Sequence, residues 1–185
     1  MKHPASDTPE LLINEPQRDD RTIVLAHGAG AAMDTEFMDA FAVGLANLGL
    51  RVVRFEFPYM AARRISGKRR PPDREPILRD TWHRVVDSIG ADRVVIGGKS
   101  MGGRIASLIA DEAQVAGLVC LGYPFHPTGK PDKLRIEHLK AIETHLASRW
   151  TTILPKRLRA SRSSWTPCES RVGRCDGGSN YNRVR

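Results

Sequence analysis

Gly98-Lys99-Ser100-Met101-Gly102 fits the pattern Gly-x-Ser-x-Gly, residue types suited to nucleophilic attack on a carbonyl. A serine used in this way must stand on a bend so tight that side chains two positions away would clash, a constraint that glycine at 98 and 102 relieves. The same bend aims the amide of Met101 beside the hydroxyl, at the positive end of the helix expected to follow. A second run complements it. His27-Gly28-Ala29-Gly30-Ala31 is built of small residues after His27, so its backbone can come close to a substrate oxygen and give a second amide, from Ala29 or, as the near alternative, Gly30. His27 itself reads as a loop-ordering side chain, because in this chain order the general base follows the nucleophile.

The histidines after Ser100 are His126, His138 and His145. His126 lies in Tyr123-Pro-Phe-His-Pro127, just past the strand that follows the serine's helix, where loops at the carboxyl edge of a parallel sheet line the ligand crevice. It reads as a loop histidine that bonds backbone and shapes a pocket wall together with Tyr123. His138 is expected on a surface helix and His145 at a break in the pattern, and neither is expected to act. Lys99, beside Ser100, can favour an anionic ester. Arg63, Arg64, Lys68, Arg69 and Arg70 put five cations in eight residues, able to meet an anionic substrate or phosphate. With Asp73, Glu75 and Asp80 close by, a solvated loop is the plainer expectation.

These residues need a scaffold. Thr22 to His27 is β-branched and aliphatic and ends at Gly28, which predicts a buried strand. Asp34 or Thr35 can cap a helix whose stripe is Phe37, Phe41, Leu45 and Leu48, with Gly49 as its stop. Arg51 to Phe57 predicts a second strand halted by Pro58. A basic, proline-containing loop then leads to a helix over Ile77 to Ile89, with Trp82, Val85, Val86 and Ile89 on one side. Arg93 to Gly97 is a third strand, Gly102 to Ala113 a third helix and Ala116 to Gly122 a fourth strand. That alternation predicts an α/β fold, a mostly parallel sheet with helices on both faces. The elbow at Ser100 is then placed between the third strand and the helix after it.

The chain has 185 residues, 41% hydrophobic and 27% charged, which suits one globular domain. Its formal net charge of +8 is unevenly spread: residues 1–146 hold 20 basic and 19 acidic side chains, and 147–185 hold 9 and 2. A charge confined to one end does not assign nucleic-acid binding to the whole. Three cysteines, at 120, 168 and 175, form neither a disulfide framework nor a zinc set, so a reducing compartment and the cytoplasm are expected. No apolar run is long enough for a signal or a membrane span. The expected organisation is a polar extension over 1–20, a partial α/β domain over 21–146 and a basic tail over 147–185, disordered or out of frame.

Four stretches together resemble a known group: Leu25 to Ala31, Arg51 to Arg63, Gly97 to Arg104 and Cys120 to Pro127. They look like bacterial α/β-hydrolase-fold proteins of the group that includes testis-expressed protein thirty and subunit three of the NSL chromatin complex, with dienelactone hydrolase as a more distant relative. The resemblance runs from about Thr22 to Thr144. It implies an esterase-like serine hydrolase with Ser100 as nucleophile and the amides of Met101 and Ala29 as the oxyanion hole. The function expected from these residues is hydrolysis of an ester or related acyl bond with no metal and no organic cofactor, on a small-molecule ester, with neither a membrane nor nucleic acid as partner.

The group's pattern continues with a hydrophobic strand ending in Gln-Gly-x-x-Asp-Pro, which carries the acid, and later Gly-Asp-His, which carries the base. Here the chain instead reads Thr144-His-Leu-Ala-Ser-Arg-Trp-Thr-Thr-Ile-Leu-Pro155, and no histidine follows His145. Asp176 has no strand before it and takes no role. The enrichment of the end in Arg, Ser, Trp and Cys suggests a shift of reading frame near Thr144. The last strands of the fold are therefore expected to be missing or replaced, and hydrolysis to be impaired. The alternative is a non-catalytic binding or scaffold protein that retains the fold.

Overall fold

The computed structural model describes residues 8–15, 21–144 and 146–149, the last as backbone. The strands are β1 (Leu11–Asn14), β2 (Thr22–Ala26), β3 (Arg51–Phe55), β4 (Val94–Lys99), β5 (Gly117–Leu121) and β6 (Leu146–Arg149). They join in one six-stranded sheet of order β1-β3-β2-β4-β5-β6. Only β1 runs antiparallel, on β3; the remaining pairings are parallel. The helices are α1 (Glu36–Asn47), α2 (Pro58–Ser66), α3 (Glu75–Ile89) and α4 (Met101–Ile109). This is the expected α/β architecture.

Side chains alternate across a strand, so each strand feeds two faces. Val24 and Ala26 of β2, Val53 and Phe55 of β3, and Ile96 of β4 pack with Trp82, Val85 and Val86 of α3 and Ile105, Ala106 and Ile109 of α4. Leu25, between Val24 and Ala26, and Val52, next to Val53, pack with Met38 and Ala42 of α1. Trp82 is fully buried with its ring edge-on to Phe55 at 4.7 Å. The continuous apolar runs of the central strands follow from burial on both faces.

The structure departs from the sequence-based expectations in five places. Pro58 does not merely stop β3; it occupies the first turn of α2, where its missing N–H costs no hydrogen bond. Arg63 and Arg64 therefore sit on a helix, not on a loop. Leu11 to Asn14, within the expected polar extension, form a paired edge strand. On α1 the buried side chains are Met38 and Ala42, while Phe37 lies at 36% and Leu48 at 78% exposure. Helix α4 starts at Met101 and ends at Ile109, short of Ala113. Among the described residues no helix is long and apolar enough to cross a membrane. Residues 147–149, expected to open the tail, instead continue β6 as a parallel strand on β5; the segment after 149, and with it the rest of that tail and Asp176, lies outside the described residues.

Candidate active site

Ser100 is the residue between β4 and α4, with φ 50° and ψ −109°. A side chain at positive φ is strained, and a strand-turn-helix bend that imposes it lifts the residue clear of both elements. Both of its backbone groups are tied down. Its N–H donates to the Leu121 carbonyl at 2.9 Å, and its carbonyl accepts the Arg104 N–H at 3.0 Å. The side chain is half-buried, neither sealed in the core nor within a regular helix turn. Met101 follows as the first residue of α4, so its amide lacks an intrahelical acceptor.

The glycines around Ser100 exist for close approach. A Cβ on Gly98 would strike the Ala26 carbonyl, and one on Gly102 would strike that carbonyl and come within 2.6 Å of the His27 carbonyl. Both obstacles are backbone and cannot swing away. The start of α4 thus lies directly on the end of β2 and the segment that leaves it. Gly28 is 3.6 Å, by the same measure, from the Lys99 carbonyl. The two runs singled out in the sequence therefore meet at the carboxyl edge of neighbouring parallel strands.

His27 has no exposed surface. Its Nδ1 lies 2.7 Å from the Gly28 carbonyl, and its Nε2 lies 3.2 Å from the Phe57 N–H. A carbonyl has no proton to give, so Nδ1 must donate; an amide must donate, so Nε2 must accept. One neutral tautomer satisfies both, and burial holds the imidazole below its ordinary pKa. With both nitrogens engaged, His27 orders the loop and is no base for Ser100. Ala29 and Gly30 are exposed. The Ala29 carbonyl accepts the Tyr59 hydroxyl at 2.9 Å, and the Gly30 carbonyl accepts Arg63 Nη1 at 3.3 Å. Lys99 lays its ammonium 4.1 Å from the centre of the Phe37 ring, a cation–π contact on the rim.

Among the described residues no hydrogen bond joins the other sequence candidates to the Ser100 side chain. Exposed His126 bonds the Pro127 carbonyl through Nδ1 at 3.0 Å. Tyr123 is buried, and its hydroxyl donates to the Arg135 carbonyl at 2.9 Å. His138, expected to be inert on a surface helix, is half-buried on a short 3-10 turn, its Nε2 2.8 Å from Ser107 Oγ and 3.3 Å from Tyr123 Oη. Ser107 lies two turns along α4 from Ser100, about 10 Å away along the axis, so His138 serves the packing of α4 rather than the elbow. Burial, then Arg104, keeps its pKa low. His145 lies outside the described residues. Among the described residues no hydrogen bond reaches the Ser100 hydroxyl, and no group of three His, Cys, Asp or Glu side chains is placed to hold a metal ion.

One network was not anticipated from sequence. Glu56, 5% exposed, accepts Arg64 through both carboxylate oxygens, at 2.7 and 3.1 Å, and also the Met33 N–H at 3.3 Å. Arg64 is bidentate in turn to Asp34, both bonds at 2.9 Å, which holds the Asp34 carboxyl below its ordinary pKa. Buried Arg54 donates to the Met33 carbonyl at 2.8 Å and to Asp39 at 2.5 Å. The loop from Gly28 to Asp34 is thus fixed from the β3–α2 corner. The local hint was a charge at alternate positions, Arg54 in β3 and Glu56 just after it, among apolar neighbours Val52, Val53, Phe55 and Phe57.

This strand-elbow-helix arrangement on a parallel sheet belongs to a recognisable class of fold. Residues 19–147 match the alpha/beta hydrolase domain, and the chain is a member of that family. Among solved structures it is similar to a lidless serine hydrolase from Xanthomonas campestris, at 16% identity and a TM-score of 0.51, over 75% of this chain and 76% of that one. It is similar also to dienelactone hydrolase from Anabaena variabilis, at 19% identity and a TM-score of 0.52, over 60% of this chain and 55% of that one. A serine hydrolase homologue from Coxiella burnetii shares 23% identity with a TM-score of 0.50, over 64% of this chain and 59% of that one. Against several such structures, the chain spans about half of their length. No curated protein matches.

Proposed function

We propose that this chain is a serine hydrolase-type protein that acts on an ester or related acyl bond through Ser100, with the amides of Met101 and of the Ala29–Gly30 turn receiving the carbonyl oxygen. The observation that carries this is the backbone of Ser100, a side-chain-bearing residue held at φ 50° at the head of α4. In the reaction, Ser100 Oγ bonds to the acyl carbon as its proton passes to solvent water. The oxygen charge of the tetrahedral intermediate rests on the amides; the bond from the acyl carbon to the ester oxygen then breaks, and the alcohol departs with a proton from solvent as the acyl-serine forms. Water then releases the acid. No metal or organic cofactor enters this scheme. Within its family, the resemblance of its motifs to the group of testis-expressed protein thirty and NSL subunit three supports the reading that the chain belongs with that group. Its cysteine usage suits a cytoplasmic protein.

Water is a weak acceptor for that proton, and no described histidine is hydrogen-bonded to Ser100. Removing the imidazole from a complete triad costs roughly 10⁶ in turnover, and the oxyanion site and binding retain about 10³ to 10⁴ over water. The 185-residue chain is therefore expected to act slowly. Intact-mass and peptide analysis after exposure to a fluorophosphonate tests the assignment: slow labelling at Ser100, absent in Ser100→Ala, is expected. Label on other residues alone would overturn it. Fast hydrolysis of a short-chain aryl ester, abolished in Ser100→Ala, would overturn the impairment and return His126 and His145 to consideration as bases.

A further inference from the structure

In a trans peptide the C=O and N–H of one plane point in opposite directions. Whatever grips a carbonyl therefore aims the amide of the next residue. His27 Nδ1–H grips the Gly28 carbonyl at 2.7 Å, which turns the Ala29 amide away from the imidazole. The Tyr59 hydroxyl grips the Ala29 carbonyl at 2.9 Å, which turns the Gly30 amide away from the phenol. The two gripping rings lie against each other, 5.8 Å between centroids. Both carbonyls thus face one side, and both amides face the other. The Ala31 N–H closes the turn on the Gly28 carbonyl at 3.4 Å. Successive amides presented in this way form a concave anion site.

Tyr59 is well placed to set this orientation. It is 3% exposed, and its own N–H donates to Asp73 at 2.8 Å, so the phenol is fixed at both ends. Burial, then the Asp73 charge, raises its pKa, so the hydroxyl keeps its proton at any working pH. Its partner loop carries exposed Ala29 and Gly30, which have no side chain able to hold their own peptides.

We propose that the Tyr59 hydroxyl is the positioning group of the oxyanion loop, holding the Ala29 carbonyl so that the Ala29 and Gly30 amides together, and not Ala29 alone, face the acyl oxygen at Ser100. This rests on the acyl-serine function proposed above. Tyr59 touches no substrate; it acts through the peptide it grips.

Tyr59→Phe removes one oxygen and leaves the ring beside His27. Two readouts are taken on the full chain. The first is acylation of Ser100 by p-nitrophenyl acetate, followed by peptide mass against ester concentration. The second is amide hydrogen exchange by NMR across residues 28–31. In Tyr59→Phe the maximal acylation rate is expected to fall at least about tenfold, toward the 10² loss of a deleted oxyanion donor. The half-saturating ester concentration stays put, and the Ala31 amide, bonded to the Gly28 carbonyl, exchanges about tenfold faster while β2 and β4 amides do not change. Wild-type rates in both readouts overturn the proposal, as does an exchange increase spread through the sheet, which would make Tyr59 a general packing residue. If wild-type Ser100 is acylated no faster than background in Ser100→Ala, the acyl-serine function fails. Exchange confined to 28–31 then still decides the brace.

Discussion

Two imidazoles, His27 and His138, are buried enough to hold their pKa below the ordinary value. An unfolded chain takes up protons at both sites near pH 6.5, before the folded chain does, so acid favours unfolding. Their contribution to stability is complete above about pH 6.5 and is lost as pH falls through their folded values. The urea midpoint is expected to drop between pH 7.5 and 5.5, and replacement His138→Gln should flatten part of that drop. At this scale the sequence was legible where geometry dictates residue type. Gly98 and Gly102 leave no room for a Cβ, and that restriction shows as a pattern in the letters. It was illegible where the partner is far along the chain: nothing adjacent to Tyr59 announces Ala29, thirty residues earlier, and nothing near His138 announces Ser107.

Among elements, the corner between β3 and α2 sets the shape of the loop that follows β2. Arg64 bridges Glu56 and Asp34. Arg64→Ala leaves the Glu56 carboxylate buried without its cation and should cost about 2 kcal/mol in urea unfolding. In a Glu56→Gln background the same change should cost less than about 1 kcal/mol, because the stranded charge is gone. Gly102→Ala drives a methyl into two backbone carbonyls and should lose about 1–3 kcal/mol, together with any labelling at Ser100. Sequence periodicity identified α3, whose stripe carries Trp82, Val85 and Val86. It placed α1 and, in Leu45, one of its packed residues, but it missed Met38 and Ala42, weak hydrophobic letters beside the more exposed Phe37 and Leu48. It missed α2 because Pro58 ends a strand and begins a helix at the same residue, and local preference does not separate those roles.

For the whole molecule, the alternation of apolar runs and amphipathic segments was enough to read a parallel α/β sheet. The edge strand β1 was not readable, being four residues with a single apolar run. It nevertheless covers the hydrogen-bonding edge of β3, and Asn14 gives Arg54 Nη2 an acceptor at 3.0 Å. Removing residues 1–15 should expose that edge and promote association, seen as a concentration-dependent rise in mass by size exclusion with light scattering.

The elbow carries a consequence for how this molecule resists heat. Ser100 occupies a dihedral region that glycine enters freely and serine does not. Ser100→Gly is expected to raise the melting temperature, by relief of about 1 kcal/mol, while erasing every reaction at that position. A protein that melts later once its own hydroxyl is taken away holds that group in tension, as a drawn bow holds its string.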